Sequence, residues 1–497
     1  MTPIRQVVIA GGGTAGWMAA AVLSRAFGGR LSVRLVESED IGTVGVGEAT
    51  IPQIRLLTGM LGLDEDEFLR RTHGTLKLGI EFAGWGSPAS RYLHAFGTVG
   101  RPLGLLPFHH YWLRARQAQP ALDLWRYSLN ARAAALGRAG RQEQVPRGLA
   151  QGLVHAFHFD ASLVAGVLSE YAQQRGVTRI EGQIREVRLS ESGDLASLEL
   201  ADGRSIAGDF FLDCTGFRAL LIGQALGVGY EDWTQWLPCD RAIAVPCSSP
   251  PNPLPYTRAT ARPAGWQWRI PLQHRLGNGH VFCSQFMGED EATALLLANL
   301  DGEPLAAPRV LGFTTGRRRE FWKRNCLALG LASGFMEPLE STSIHLVQSG
   351  LSRWLALFPG AGAGAGLPEA AEYNRQTAIE FERIRDFLIL HYHANGRTEP
   401  FWQEMAGMAI PESLRDRLAL FRASGRLFRE GEELFTEMGW LQVMVGQGVI
   451  PAAWHPLADQ LDAGQLAEFM TNVETLVERA AADLPSHESY LRERCAA

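Results

Sequence analysis

The chain has 497 residues, and 47 Lys and Arg against 53 Asp and Glu give a net charge of −6, which offers no support for a nucleic-acid-binding surface. Its 46% hydrophobic and 20% charged composition suits a globular protein with large cores, and its length predicts about three domains. Cys214, Cys239, Cys247, Cys283, Cys326 and Cys495 show no C-x-x-C spacing, so neither a metal site nor a disulfide framework is expected. No apolar run is long enough to cross a membrane and no signal peptide precedes the first strand, so the expected location is the cytoplasm.

The first forty residues organise the rest. Gln6-Val7-Val8-Ile9-Ala10 is an apolar, β-branched run of the kind a buried parallel strand uses. Gly11-Gly12-Gly13-Thr14-Ala15-Gly16 follows, fitting G-x-G-x-x-G, then a helix over 17–27 and a second strand over 32–36 that ends at Glu37. In such a unit Gly11 permits the tight turn, Gly13 lets the backbone approach a pyrophosphate, and Gly16 allows close helix–strand packing. The helix N-terminus offers N–H groups to the phosphates, and Glu37 can accept from a ribose hydroxyl. Strand, glycines, helix and acid in register predict dinucleotide binding, which an ordinary glycine turn does not explain.

Residues 38–52, with Gly42, Gly45 and Gly47, are expected to form a loop, either plain surface or a strap over a flat cofactor, and 53–61 a helix. Residues 76–85 alternate as one strand, on which Lys77 taken alone reads as part of a solvated face. Aromatic and histidine density then rises through Tyr92, His94, Phe96, Phe108, His109, His110, Tyr111 and Trp112, as an aromatic core or a pocket wall. A helix to Arg175 precedes strands at 178–180, 184–189 and 195–200, and the chain returns through 209–212 to Asp213-Cys214-Thr215-Gly216, whose glycine is a second expected nucleotide contact. The Pro-rich stretch 246–264 is expected to be loop. It leads to Gly265-Trp266-Gln267-Trp268-Arg269-Ile270-Pro271, a strand with both indoles on one face, which Gly277-Asn278-Gly279 is expected to turn back into 281–286. Core tryptophans are the plain reading of that segment. Cys326 to Leu329 reads as a buried strand, and Glu340 to Ser343 as a helix start that is either capped by its hydroxyls or an anion site. After the low-complexity linker 359–366 the chain is mainly helical, with Ile379, Phe387 and Leu390 on apolar stripes.

Taken together, Gly11 to Gly16, Lys77-Leu78-Gly79-Ile80, Asp213 to Gly216, Gly265 to Pro271 and Glu337-Pro338-Leu339-Glu340-Ser341-Thr342 closely resemble the flavin-dependent tryptophan halogenase family, from residue 1 to about 460. The resemblance implies an α/β, Rossmann-type FAD-binding fold with added β-sheet and a mainly helical C-terminal substrate region. It divides the chain into a 1–350 core, with substrate-side insertions around 85–145 and 225–310, and a 351–497 helical region. It implies that reduced FAD from a separate flavin reductase, with O2 and chloride or bromide, yields hypohalous acid. That acid passes to a lysine beside a small aromatic substrate. By motif position the lysine is Lys77 and its assisting carboxylate Glu340. Gly11, Gly13, Thr14, Ala15, Gly16, Glu37, Ala49, Gly216, Gly330 and Leu339 fall at cofactor positions, Thr342 and Ser343 at the halide, and His94 and Phe96 at an indole sandwich. Ser343 stands where tryptophan-converting members usually have glycine. The tyrosines and Phe-Trp pair that hold free tryptophan in such members find no match near 423–440, where Glu430 is the candidate acid. The expectation is a halogenase of indole-like aromatics, with no nucleic-acid or membrane partner and a homodimer left open. Its rivals are an FAD-dependent aromatic monooxygenase, which needs no remote lysine, and a flavin-binding module without turnover.

Overall fold

A computed structural model describes residues 4–40, 47–142, 144–360 and 366–495. Contacts divide the chain into two compact units. One comprises 1–74, 159–240 and 312–382, the other 75–158, 241–311 and 383–497.

The first unit is built on a six-stranded sheet in the order Trp322–Lys323, Cys326–Ala328, Phe210–Asp213, Gln6–Ala10, Ser32–Glu37, Thr178–Glu181. All neighbours but the first pair are parallel, with Val7 opposite both Val33 and Phe210. Parallel strands are covered on both faces, which is why these runs are apolar rather than alternating. Val8, Val36, Phe211 and Cys326 are fully buried with Leu198, Leu221 and Ile222 in one cluster. The helices Thr14–Phe27, Ala161–Gln173 and Ser343–Ala356 pack in this unit, the first against both others. The meander is a separate antiparallel sheet of Ile184–Leu189, Leu195–Leu200 and Ser205–Ala207. Within 38–52 the structure adds a strand, Gly47–Ala49, in place of pure loop; the 41–46 part of that stretch lies outside the described residues. So does 361–365 of the expected linker. Ile379, expected on an apolar stripe, is exposed, whereas Phe387 and Leu390 are buried.

The second unit carries a seven-stranded sheet, in the order Arg309–Gly312, Arg241–Ala244, Leu276–Phe282, Gly265–Pro271, Thr257–Arg262, Gly79–Ala83, Arg91–Ala95. Three expectations are corrected here. Residues 257–262 are not loop but a strand with alternating burial, because the prolines flank it at 250–255 and 263 rather than interrupt it. The hairpin exists, but Gly277-Asn278-Gly279 lies inside its second strand, paired with Ile270, Arg269 and Trp268. The chain instead turns at Leu272, whose N–H donates to the Arg275 carbonyl. A Cβ on Gly279 would sit 2.0 Å from the Trp268 ring, so this glycine makes room for an indole instead of a turn. The expected single strand over 76–85 is two, Thr75–Lys77 and Gly79–Ala83, in different sheets. Trp266 and Trp268 are core residues, 6.1 Å apart and both buried, as the plain reading has it. The helices Pro400–Gly407, Glu412–Ser424, Glu437–Gly446 and Ala463–Ala482 follow; Asp462 and Gln465 close the last one's N-terminus with a capping box.

Candidate active site

The nucleotide end is assembled from the first unit. Gly11 has φ +106°, and a Cβ there would meet the Cys214 carbonyl oxygen at 2.3 Å, so the Asp213 to Gly216 turn packs directly on the glycine turn. A Cβ on Gly16 would lie 1.9 Å from the Gly11 carbonyl, and Gly16 is glycine for helix packing. Gly12 is glycine because of Glu37, whose carboxylate oxygen occupies the space a Cβ would take, 1.5 Å away. Gly13 differs from all three: nothing lies within 4 Å of a Cβ built there. It is the N-cap of Thr14–Phe27, with no side-chain cap and no carboxylate in the first turn. The helix therefore presents its positive end to open space, as a pyrophosphate requires.

Glu37 is fixed from its other side. Arg179 donates to Glu37 at 2.6 Å, to Glu39 at 2.8 Å and to Glu181 at 2.9 Å. This arginine had no signal in the sequence, since it is one charge on an ordinary strand. Asp213 accepts from the Thr215 N–H and hydroxyl through one oxygen and from the Leu221 and Ile222 N–H groups through the other, holding the turn around Gly216. Gly216 and Gly330 both have positive φ, and a Cβ on Gly330 would come 2.9 Å from Ala15. Ala49 and Leu339 are buried in the same unit. Beside Ala49, burial and then the Asp160 carboxylate push the Glu48 carboxyl up to about 7, a perturbation the strap reading of 38–52 did not anticipate. FAD fits these residues. The uncapped helix and the clear space at Gly13 would take its pyrophosphate, and Glu37 its adenosine ribose.

Glu340 ends the short helical turn Pro338–Glu340 and is buried. Ser341 follows with φ +59°, a left-handed conformation that costs a non-glycine residue about 1–3 kcal/mol and is tolerated where the surroundings impose it. Thr342 is the N-cap of Ser343–Ala356, and its own hydroxyl makes no capping bond. Thr14 and Ile344 line one small apolar cavity, so this helix start converges with that of Thr14–Phe27.

Lys77, His94 and Phe96 belong to the second unit. Lys77 is wholly buried instead of standing on a solvated face. Its Nζ lies 5.5 Å from the centre of the Phe96 ring. Its strand pairs with Ala156–Asp160, Lys77 opposite Ala156 and Thr75 opposite His158. The Thr75 hydroxyl donates to the Pro271 carbonyl at 2.7 Å, so its contact with His158 Nδ1 at 2.8 Å is donated by the ring. His158 Nε2 then accepts from Thr257 at 2.9 Å. Burial first, then Lys77 and His487, hold the His158 imidazole well below its ordinary pKa and neutral. His94 lies 5.5 Å from Phe387 and 6.1 Å from Phe435, and those two rings stack at 3.8 Å. Glu430 is paired with Arg383 at 2.7 Å, and the neighbouring Glu433 accepts both arms of Arg417 at 2.8 and 2.9 Å. Both carboxylates already have cationic partners.

Among the described residues no group of three or more His, Cys, Asp or Glu side chains is arranged to hold a metal, and no helix is long and apolar enough to cross a membrane. The parallel sheet, the glycine turn and the acid at the second strand's end define a Rossmann-type dinucleotide-binding protein, with a buried lysine beside an aromatic ring outside the nucleotide unit. Comparison with known proteins narrows the class. The tryptophan halogenase family model matches residues 6–463, and the chain belongs to that family. It is 34% identical to the tryptophan 6-halogenase SttH of Streptomyces toxytricini over 98% of this chain and 97% of that one. Among solved structures it is similar to Xcc4156, a flavin-dependent halogenase from Xanthomonas campestris (49% identity, TM-score 0.96, 100% of this chain and 99% of that one). It is also similar to BrvH, a flavin-dependent halogenase from Brevundimonas sp. BAL3 (45% identity, TM-score 0.94, 99% of each). The protein is an FAD-dependent halogenating enzyme of Rossmann-type fold, and nothing in these relatives supports the monooxygenase alternative.

Proposed function

We propose that this enzyme halogenates indole-like aromatics, with Lys77 as the residue that hands the halogen to the ring. The observation that carries the reading is a wholly buried primary amine against the Phe96 ring, on a strand outside the nucleotide unit. Bound reduced FAD, supplied by a separate reductase, provides with O2 the oxidising power that turns halide into hypohalous acid. The chain's own residues do the rest. The amide ends at Thr342 and Ser343 hold the halide, which needs charge and N–H groups but no directional partner. Lys77 polarises the hypohalous acid through its N–H donors or carries the halogen as a haloamine. His94 and Phe96 flank the arene, and Glu340 takes up the proton released on substitution. Free tryptophan is a poorer substrate than indole, because Glu430 and Glu433 are committed to Arg383 and Arg417 and offer no spare charge to an ammonium group. Six free cysteines suit a reducing cytoplasm.

The test is an arene panel with reductase, FAD, NADH and either halide, read by mass spectrometry. Halide-dependent products from indole, exceeding those from free tryptophan, are expected. Oxygenated products without halogen would overturn the reading.

A further inference from the structure

The strand that carries Lys77 is paired on one edge with Ala156–Asp160. On its other edge stand the amides of Leu76 and Leu78, the two neighbours of Lys77, one bonded to the short segment 253–255 directly and the other through a side chain. Leu78 N–H donates to the Pro255 carbonyl at 2.7 Å. Leu76 N–H is bridged to that segment by an imidazole. His487 Nε2 accepts from Leu76 N–H at 3.2 Å, and His487 Nδ1 lies 2.8 Å from the Pro253 carbonyl. A ring that accepts at Nε2 and meets a carbonyl at Nδ1 must be neutral with its proton on Nδ1. Burial, opposed by the Pro253 bond, holds its pKa at about 4, so this form persists at neutral pH. The ring is itself anchored: His487 N–H donates to the Gly137 carbonyl at 2.9 Å, and Ala139 N–H to the Pro485 carbonyl at 3.2 Å. Leu76 and His487 are both essentially without exposure, so no solvent stands in if the bridge is lost.

We propose that His487 is a positioning residue for Lys77: by bridging Leu76 N–H to Pro253 it fixes the strand on which the amine stands, and the C-terminal segment becomes part of the active site. The inference rests on Lys77 being the halogen-transferring residue. A misplacement of about 1 Å between reacting groups costs on the order of 100-fold in rate. Hypohalous acid formed by the flavin then escapes in place of reacting with the arene.

Two substitutions separate the two ends of the bridge. Glutamine places its amide near Nε2 and can still accept from Leu76. Asparagine places its amide near Nδ1, keeps the Pro253 bond and falls short of Leu76. Full-length His487→Gln, His487→Asn and Lys77→Met are compared with wild type, with FAD, reductase, bromide and indole. The readouts are FAD affinity by fluorescence quenching, oxygen-dependent flavin reoxidation, brominated indole, and hypobromous acid caught by a soluble diketone trap. His487→Asn keeps FAD affinity and reoxidation near wild type while the ratio of indole product to trapped acid falls at least tenfold, and His487→Gln restores that ratio to within about threefold. Equal ratios in the two variants, or failure of both to fold, overturn the inference and assign His487 to packing alone. Wild-type product from Lys77→Met instead overturns the lysine reading, whatever His487 does.

Discussion

Gly13→Ala should separate cofactor binding from folding. A Cβ at Gly13 meets nothing within 4 Å, and the residue's φ of −73° and ψ of −174° suit alanine. Two small folding effects oppose each other. Restricting the unfolded chain stabilises by about 0.4–1 kcal/mol, and alanine is a poorer N-cap than glycine by a similar amount. The apo protein's unfolding midpoint should thus stay within a degree or two. The new methyl stands where the pyrophosphate would approach the amide end of Thr14–Phe27. Loss of one or two charge-assisted hydrogen bonds at about 1.5–3 kcal/mol each weakens FAD binding by at least tenfold. Gly16→Ala is the contrast: its Cβ would lie 1.9 Å from the Gly11 carbonyl and should destabilise the apo fold. Thermal unfolding of the apo proteins and titration of FAD fluorescence read both effects. Wild-type FAD affinity in a folded Gly13→Ala protein would refute the assignment of the pyrophosphate to this helix.

The remaining predictions concern other parts of the molecule. His109, His280 and His487 are held at about 4 and His110 at about 3, chiefly by burial, against an ordinary 6.5. Each contributes stability that is present above pH 6.5 and is lost as pH falls towards its folded value, about 1.4 kcal/mol per pH unit when fully engaged. Glu48, raised from 4.5 to about 7, acts in the opposite sense and offsets part of this loss. Urea midpoints should fall between pH 7.5 and pH 5.5, and pH-independent midpoints would contradict the burial assigned to these rings. Gly279→Ala drives a methyl into the Trp268 ring and the Ile243 carbonyl; a cost of about 1–3 kcal/mol lowers the thermal midpoint by several degrees, and an unchanged midpoint would show that the indole can move aside. Arg179→Gln frees Glu37 and should weaken FAD about tenfold while leaving FMN, which lacks the adenosine ribose, unaffected. Equal losses for both flavins would place the effect in folding.

The nucleotide unit was the most legible part of the chain, because its signals are local: the strands Gln6–Ala10 and Ile184–Leu189 and the glycine turn fall where apolar runs and spacing put them. Legibility failed where a residue's role depends on a distant partner. Gly279 read as a turn residue because the indole that needs its space lies on the neighbouring strand. Lys77 read as solvated because alternation on a strand cannot reveal that both faces are covered. That the Thr342 hydroxyl makes no capping bond depends on backbone geometry after the left-handed Ser341, which no propensity encodes. His487 and Arg179 act through contacts 411 and 142 residues away. Family resemblance supplied the role expected of Lys77, but it carried no information about the residues that hold its strand in place.

Lys77→Met tests the central claim most directly, since it removes the amine and keeps a stem of similar volume in a fully buried position. Halogenated product per flavin reoxidised is the quantity to measure, with FAD affinity and the thermal midpoint as controls. The account predicts a fall of about a thousandfold or more, as when a reacting group is lost, with flavin reoxidation close to wild type. A folded, FAD-binding Lys77→Met enzyme that halogenates indole at nearly the wild-type rate would contradict it.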